Sequence, residues 1–303
     1  MADPTVTEKL AQPAVDPRKP RGTLLLIIPT LGMLIAFLLF PYLNMIVMSF
    51  RTPSTSNVFA PGYTIANYLE ILLDEDFYYL EILLNTLVLG VVTTAICLLL
   101  GFPVAYHLAR SRSRFTTLLY AFVLSPLLVG VVVRCYGWII LLANNEGLIN
   151  STLRSLGLVE TYLPLMYNMV GVSIGLVHIF LPFMILPLTG AIQSIDPALE
   201  EAARSLGASR LKSIFRVVLP LSLPGIQAGT ILVFVLTISS YVIPILLGGF
   251  NVVIMPTLVV QQLLDAMLWP FGAALAFVLA IAGTLVVWAY LVLTNRLMRG
   301  VAR

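Results

Sequence analysis

The chain has 303 residues, of which 59% are hydrophobic and 10% charged, with a mean hydropathy of +1.00. Soluble domains carry roughly a quarter charged residues, so a water-soluble globular fold is excluded and the chain is an integral membrane protein. The net charge of +3 is small and sorted by topology, which gives no reason to invoke nucleic acid or an acidic substrate.

Met1 to Arg21 is polar and carries Pro13, Pro17 and Pro20, as a disordered cytoplasmic tail would. A tail over 1–22 and a membrane domain over 23–303 are the expected divisions. The apolar run Thr23–Phe50 is far longer than the roughly 7 to 15 residues of a signal-peptide core, and no A-x-A site follows. It is expected to stay as an anchor. Stretches near 23–50, 80–107, 116–142, 166–190, 222–247 and 270–294 are each long enough to cross about 30 Å of hydrocarbon. An all-α protein with six transmembrane helices follows. With the amino terminus inside, only Arg51, Arg134 and Arg154 of the 17 Lys and Arg residues fall outside. That bias places both termini in the cytoplasm. Residues 51–79, 143–165 and 248–268 then lie outside.

The stretch 193–221 between the fourth and fifth spans is too polar to cross a membrane. Asp196-Pro197 reads as an N-cap followed by proline at the first helical position, and Gly207 as the left-handed residue that ends the helix. Leu199, Ala202, Ala203 and Leu206 share one face, small at its centre. Ser209 caps a second helix bearing Leu211, Ile214, Phe215 and Val218, and Val217-x-Leu219-Pro220 is expected to close the loop. Such a cytoplasmic helical hairpin is shaped to dock into a groove on another protein.

Glu201-Ala202-Ala203, Gly207 and Val217-x-Leu219-Pro220 together resemble the EAA loop of permease subunits of binding-protein-dependent ABC importers. "GFPVAYHLAR" (101–110), "VRCYGWIILLANNEGLIN" (133–150), "LPFMILPL" (181–188), "LPLSLPGIQAG" (219–229) and "WPFGAA" (269–274) narrow the resemblance to the polyamine-type branch. The resemblance implies the type I importer permease architecture in a bacterial inner membrane. It also implies two ATPase subunits that hold ATP-Mg, a second permease and an extracytoplasmic binding protein, with no cofactor on this chain. Glu200, Glu201, Ala202, Ala203, Leu206, Gly207, Arg210, Leu219 and Pro220 become the ATPase-coupling residues. The implied solute is small and polar: polyamine-like, opine-like or a related amine or amino-acid compound. Many polyamine-type members carry an acid in the stretch matching 239–249, whereas this sequence has Ser240 and Ile245 there and no acid between Glu201 and Asp265. That departure speaks against a dication.

No G-x-x-x-x-G-K-[ST] is present, so a P-loop in this chain does not supply the energy, and no catalytic constellation marks it as an enzyme. Cys97 and Cys135 read as buried inert thiols, and His107 and His178 as packed or interfacial side chains. The competing class is a secondary transporter driven by an ion gradient, which calls for mid-membrane acids and usually an internal repeat. Counted along their spans, Asn85, Arg134, Tyr241 and Asp265 reach one level, with Tyr136 and Trp269 nearby. They either ring the outer mouth of a solute pathway or are ordinary interfacial residues, with Arg134 snorkelling.

Overall fold

The computed structural model of the chain describes residues 20–301 except 55, 56, 112 and 146, with side chains described from 28 to 296. The expected tail therefore lies outside the described residues as far as residue 19. The chain divides into two units, one ending at Met48 and the other beginning at Ser49.

Helix α1 (Pro20–Ser49) begins three residues before the expected span, and its stretch Ile28–Ser49 has a mean hydropathy of 2.1. It is apolar on all sides, as a helix in lipid must be. Its one polar amide, Asn44, turns back to donate to the Phe40 carbonyl at 3.0 Å.

The second unit opens with a two-stranded antiparallel ribbon, β1 (Arg51–Thr52) and β2 (Ala60–Tyr63), and a short helix α2 (Ala66–Leu73). Arg51 stacks its guanidinium over the rings of Phe59 and Tyr63, 4.7 and 4.2 Å from their centroids. Three long helices follow: α3 (Tyr78–Arg110), α7 (Met169–Gln193) and α14 (Trp269–Val301). Between them lie α4 (Phe115–Leu128), α5 (Val131–Leu142), α6 (Leu148–Ser155) and α8 (Pro197–Ser205). After α8 come α9 (Arg210–Ser213) and α10 (Leu219–Leu221), then α11 (Leu223–Ile238), α12 (Val242–Gly248) and α13 (Met255–Val260).

The main core lies where α3, α7 and α11 pack together, around Cys97, Ala105, Leu176, Met184, Leu188 and Val233. Both cysteines are buried and unpaired. In lipid an apolar side chain gains little by leaving acyl chains for another helix, so close packing at small residues must hold helices together. Gly225 is such a place. A Cβ there would meet the Ala191 methyl and lie 2.9 Å from the Pro187 carbonyl oxygen, so α11 sits on α7 only with glycine. A second cluster joins α2, the first turns of α3, α13 and α14 through Ile71, Ile82, Met255, Leu258 and Phe271.

Among the described residues four helices are long and apolar enough to cross a membrane, or up to seven if each of three bent pairs counts as one. Two expected spans are therefore not single rods. The stretch 116–142 is α4 and α5 meeting at 103°, broken where Val129 and Gly130 are extended. The stretch 222–247 is α11 followed, after Ser239–Tyr241, by α12. Pro244 explains that break, because its ring would collide with the carbonyl of Ser240 in a continuous helix. Residues 248–268 hold α13 and a π turn at Gln261–Asp265, and the stretches Val242–Asn251 and Met255–Asp265 form a pair bent by 91°. Ile254 and Met255 there are fully buried.

Candidate functional site

The hairpin after α7 is built by local signals. The Asp196 carboxylate accepts from the Ala198 N–H at 2.9 Å with Pro197 at the first helical position, so α8 starts where the sequence expects. It ends at Gly207, whose φ is +87°; the Gly207 and Ala208 N–H groups donate back to the Arg204 and Ala203 carbonyls. Ser209 Oγ then accepts from the Lys212 N–H and starts α9. Beyond α9 the helix runs on as a π turn (Ile214–Val218) into α10, so Leu219 and Pro220 are helical and end the hairpin, and the chain bends by 70° at Ser222. The π turn takes up the misfit ahead of Pro220, which has no N–H to give. Pro224, at the second position of α11, forbids helix across Ser222 in the same way.

Several apolar residues of the hairpin are left uncovered, although Ile195 and Val218 are buried. Leu206 is 90% exposed, Leu211 and Phe215 are exposed, and Leu199, Glu201, Ala202 and Arg210 face solvent. Ala203 is half-buried. Glu201, Arg204, Ser205, Gly207, Ser209 and Arg210 line a polar cleft of about 680 Å³ at the tip. A second groove, about 620 Å³ and mostly apolar, runs between Leu98, Phe102 and Tyr106 of α3 and Arg210, Leu211, Ile214 and Phe215.

Glu200 departs from its neighbours. Its carboxylate accepts from Arg110 Nε at 2.6 Å and from the Tyr106 hydroxyl at 2.8 Å, while Arg110 Nη1 donates to the Ile195 carbonyl at 3.0 Å. The Arg110 and Glu200 side chains are 16% and 13% exposed. Sequence reasoning missed these partners. The available signal was Tyr106 and Arg110 one helical turn apart at a span end, with an acid in the first turn of the next amphipathic helix.

Of the polar span residues, Arg134 is half-buried on α5, and its Nε and Nη1 are buried with no hydrogen-bond partner among the described residues. One turn on, Trp138 Nε1 donates to His178 Nδ1 on α7 at 3.1 Å, which makes that histidine a packed side chain. Tyr136 is exposed, and Tyr241 is half-buried at the start of α12, which packs against α5. Asn85 is exposed beside Thr86, and Asp265 and Trp269 are exposed at either side of the turn into α14. The Thr86 hydroxyl accepts from the Met255 N–H at 2.9 Å and so ties α3 to α13. Arg134 and Tyr136 lie on α5, which packs against the helix that Tyr241 precedes, while Asn85, Asp265 and Trp269 are exposed residues outside the second core cluster. None of the six hydrogen-bonds another among the described residues.

Residues 87–299 match the family model described as the binding-protein-dependent transport system inner membrane component. The spermidine/putrescine transport system permease protein PotB of Escherichia coli K12 is 35% identical over 265 residues, covering 88% of this chain and 95% of that protein. The protein of the same name from Haemophilus influenzae is 35% identical over 257 residues, covering 85% of this chain and 88% of its own length. Among solved structures, a chain of a bacterial ABC transporter involved in the import of the acidic polysaccharide alginate superposes with a TM-score of 0.69. It is 19% identical, with 93% of this chain and 96% of that chain covered, and so has the same fold.

Proposed function

The chain belongs to the family of binding-protein-dependent transport system inner membrane components, and from that premise we propose how this ABC-importer permease subunit is arranged and what it carries. Residues 23–303 act as one membrane domain with six crossings: α1, α3, α4 with α5, α7, α11 with α12, and α14. Both termini and the hairpin 193–221 face the cytoplasm. Residues 248–268 lie on the outer side, with α13 packed against α3 and α14. The basic-residue asymmetry supports this orientation.

The permease pairs with a second permease, two ATPase subunits that bind ATP-Mg, and a binding protein outside. Closure of the ATPase dimer moves the hairpin, and the spans alternate between inward and outward access. The observation that carries this reading is the hairpin itself: a capped helix turned at Gly207, with Leu206 and its apolar face uncovered. In this reading Glu201, Ala202, Ala203, Leu206, Gly207 and Arg210 meet the ATPase. Leu219 and Pro220 shape the helix that leads into α11. Asn85, Arg134, Tyr136, Tyr241, Asp265 and Trp269 border the outer part of the pathway. A guanidinium with unpaired nitrogens in a span supports this role for Arg134, since it is costly there unless water or a solute meets it.

The solute is a small polar compound, polyamine-like, opine-like or a related amine or amino-acid compound; the lack of an acid between Glu201 and Asp265 weighs within that class against a dication. The identity to spermidine/putrescine permeases over most of the chain supports this. The test is uptake of radiolabelled spermidine and putrescine by cells expressing the chain with its partner subunits. ATP depletion should abolish uptake, while a protonophore at maintained ATP should leave it intact. Uptake that follows the proton gradient and ignores ATP would favour a secondary transporter.

A further inference from the structure

We infer that Tyr106, Arg110 and Glu200 form the joint through which the coupling hairpin moves α3, so that Glu200 works inside the permease while its neighbour Glu201 meets the ATPase. This rests on the importer reading above. Both carboxylate oxygens of Glu200 are occupied from α3, and Arg110 also holds the Ile195 carbonyl immediately before the Asp196 cap. One end of α3 therefore grips both the first turn of α8 and the residue that leads into it. Glu201, by contrast, faces solvent.

The joint lies on the stiff route. Helix α3 is a single helix of 33 residues, about 50 Å long, unbroken despite Pro103. Near its other end Thr86 is bonded to Met255 at the start of α13, ahead of Asp265 and Trp269. The covalent routes out of the hairpin are less direct: a three-residue link at Ser194–Asp196 to α7, and a 70° bend at Ser222 to α11. A pushed hairpin transmits its motion through the bonded rod and dissipates it at the bends. Because the Arg110–Glu200 pair is largely shielded from water, separating it would strand a charge, so it moves as one body. Glu200 and Arg110 are positioning residues; neither touches solute or nucleotide.

The test uses the full complex with its ATPase in proteoliposomes and does not depend on the solute. Tyr241→Cys, in a background with Cys97 and Cys135 replaced by serine, reports access from the outer side through its rate of labelling by an impermeant maleimide, with and without ATP and vanadate. In the parent complex nucleotide should raise the labelling rate. In Glu200→Gln and in Arg110→Gln that rise should shrink roughly 2- to 30-fold, while the ATPase copurifies at the parental ratio and ATP is hydrolysed. Arg110→Lys, which retains the charge, should restore part of the response. An undiminished response in both neutral variants overturns the joint alone. Loss of the ATPase from Glu200→Gln would place that residue on the ATPase and also overturn it. A parent complex with no nucleotide response would overturn the importer reading, and the joint with it.

Discussion

Gly207 is the residue on which the hairpin turns. Its φ of +87° lies in the left-handed region, and a Cβ added there meets no atom within 4 Å, so a substitution acts through the backbone alone. A β-branched residue resists that conformation by about 1–2 kcal/mol, whereas asparagine tolerates it. Gly207→Val is expected to insert normally but to lose solute uptake and most of the copurifying ATPase. Gly207→Asn should retain both. Equal behaviour of the two variants would mean that the turn does not position the hairpin. This residue was legible in the sequence because a helix cap is a local signal, read from Asp196, Gly207 and Ser209 within a dozen positions. Glu200 was not. Its partners Arg110 and Tyr106 stand 90 and 94 positions away, and only the packing of α8 on the end of α3 turns it inward while Glu201 faces out.

At the scale of elements, hydropathy located α3, α7 and α14, whose apolar runs are long and helical throughout. It could not locate the bends. Pro244 and the Val129–Gly130 break divide runs whose summed hydropathy is that of a span, and a window average has no term for a missing N–H. Helix α13 escaped for the opposite reason: it has six residues, and its burial comes from α3 and α14 rather than from its own length. What pins it is the Thr86 hydroxyl on the Met255 N–H, a contact between residues 169 positions apart. Thr86→Val keeps the shape and removes the acceptor, leaving a buried N–H unsatisfied at a cost of about 1–3 kcal/mol. Hydrogen exchange over 252–260 in the purified complex should accelerate accordingly. Unchanged protection would show that apolar packing alone holds the segment.

For the whole molecule, the proposed orientation rests on the asymmetry of the basic residues, and the proposed mechanism depends on that orientation. Single cysteines at Thr161 and Asn251, both exposed, are expected to react with an impermeant thiol reagent on spheroplasts, and one at Ser205 only after the membrane is opened. Labelling of Ser205→Cys from outside would invert the chain and remove the ATPase from reach of the hairpin. The measurement that bears most directly on the central claim is recovery of the ATPase with the detergent-solubilised permease, in the natural chain and in Ala203→Trp, alongside uptake. Ala203 sits half-buried on the small-residue side of α8, where an indole would hold a docked surface away. The account predicts two ATPase chains per permease pair with the natural chain. With Ala203→Trp, inserted to the same level, it predicts loss of both ATPase and uptake. An Ala203→Trp complex that keeps its ATPase and imports at the natural rate would contradict it.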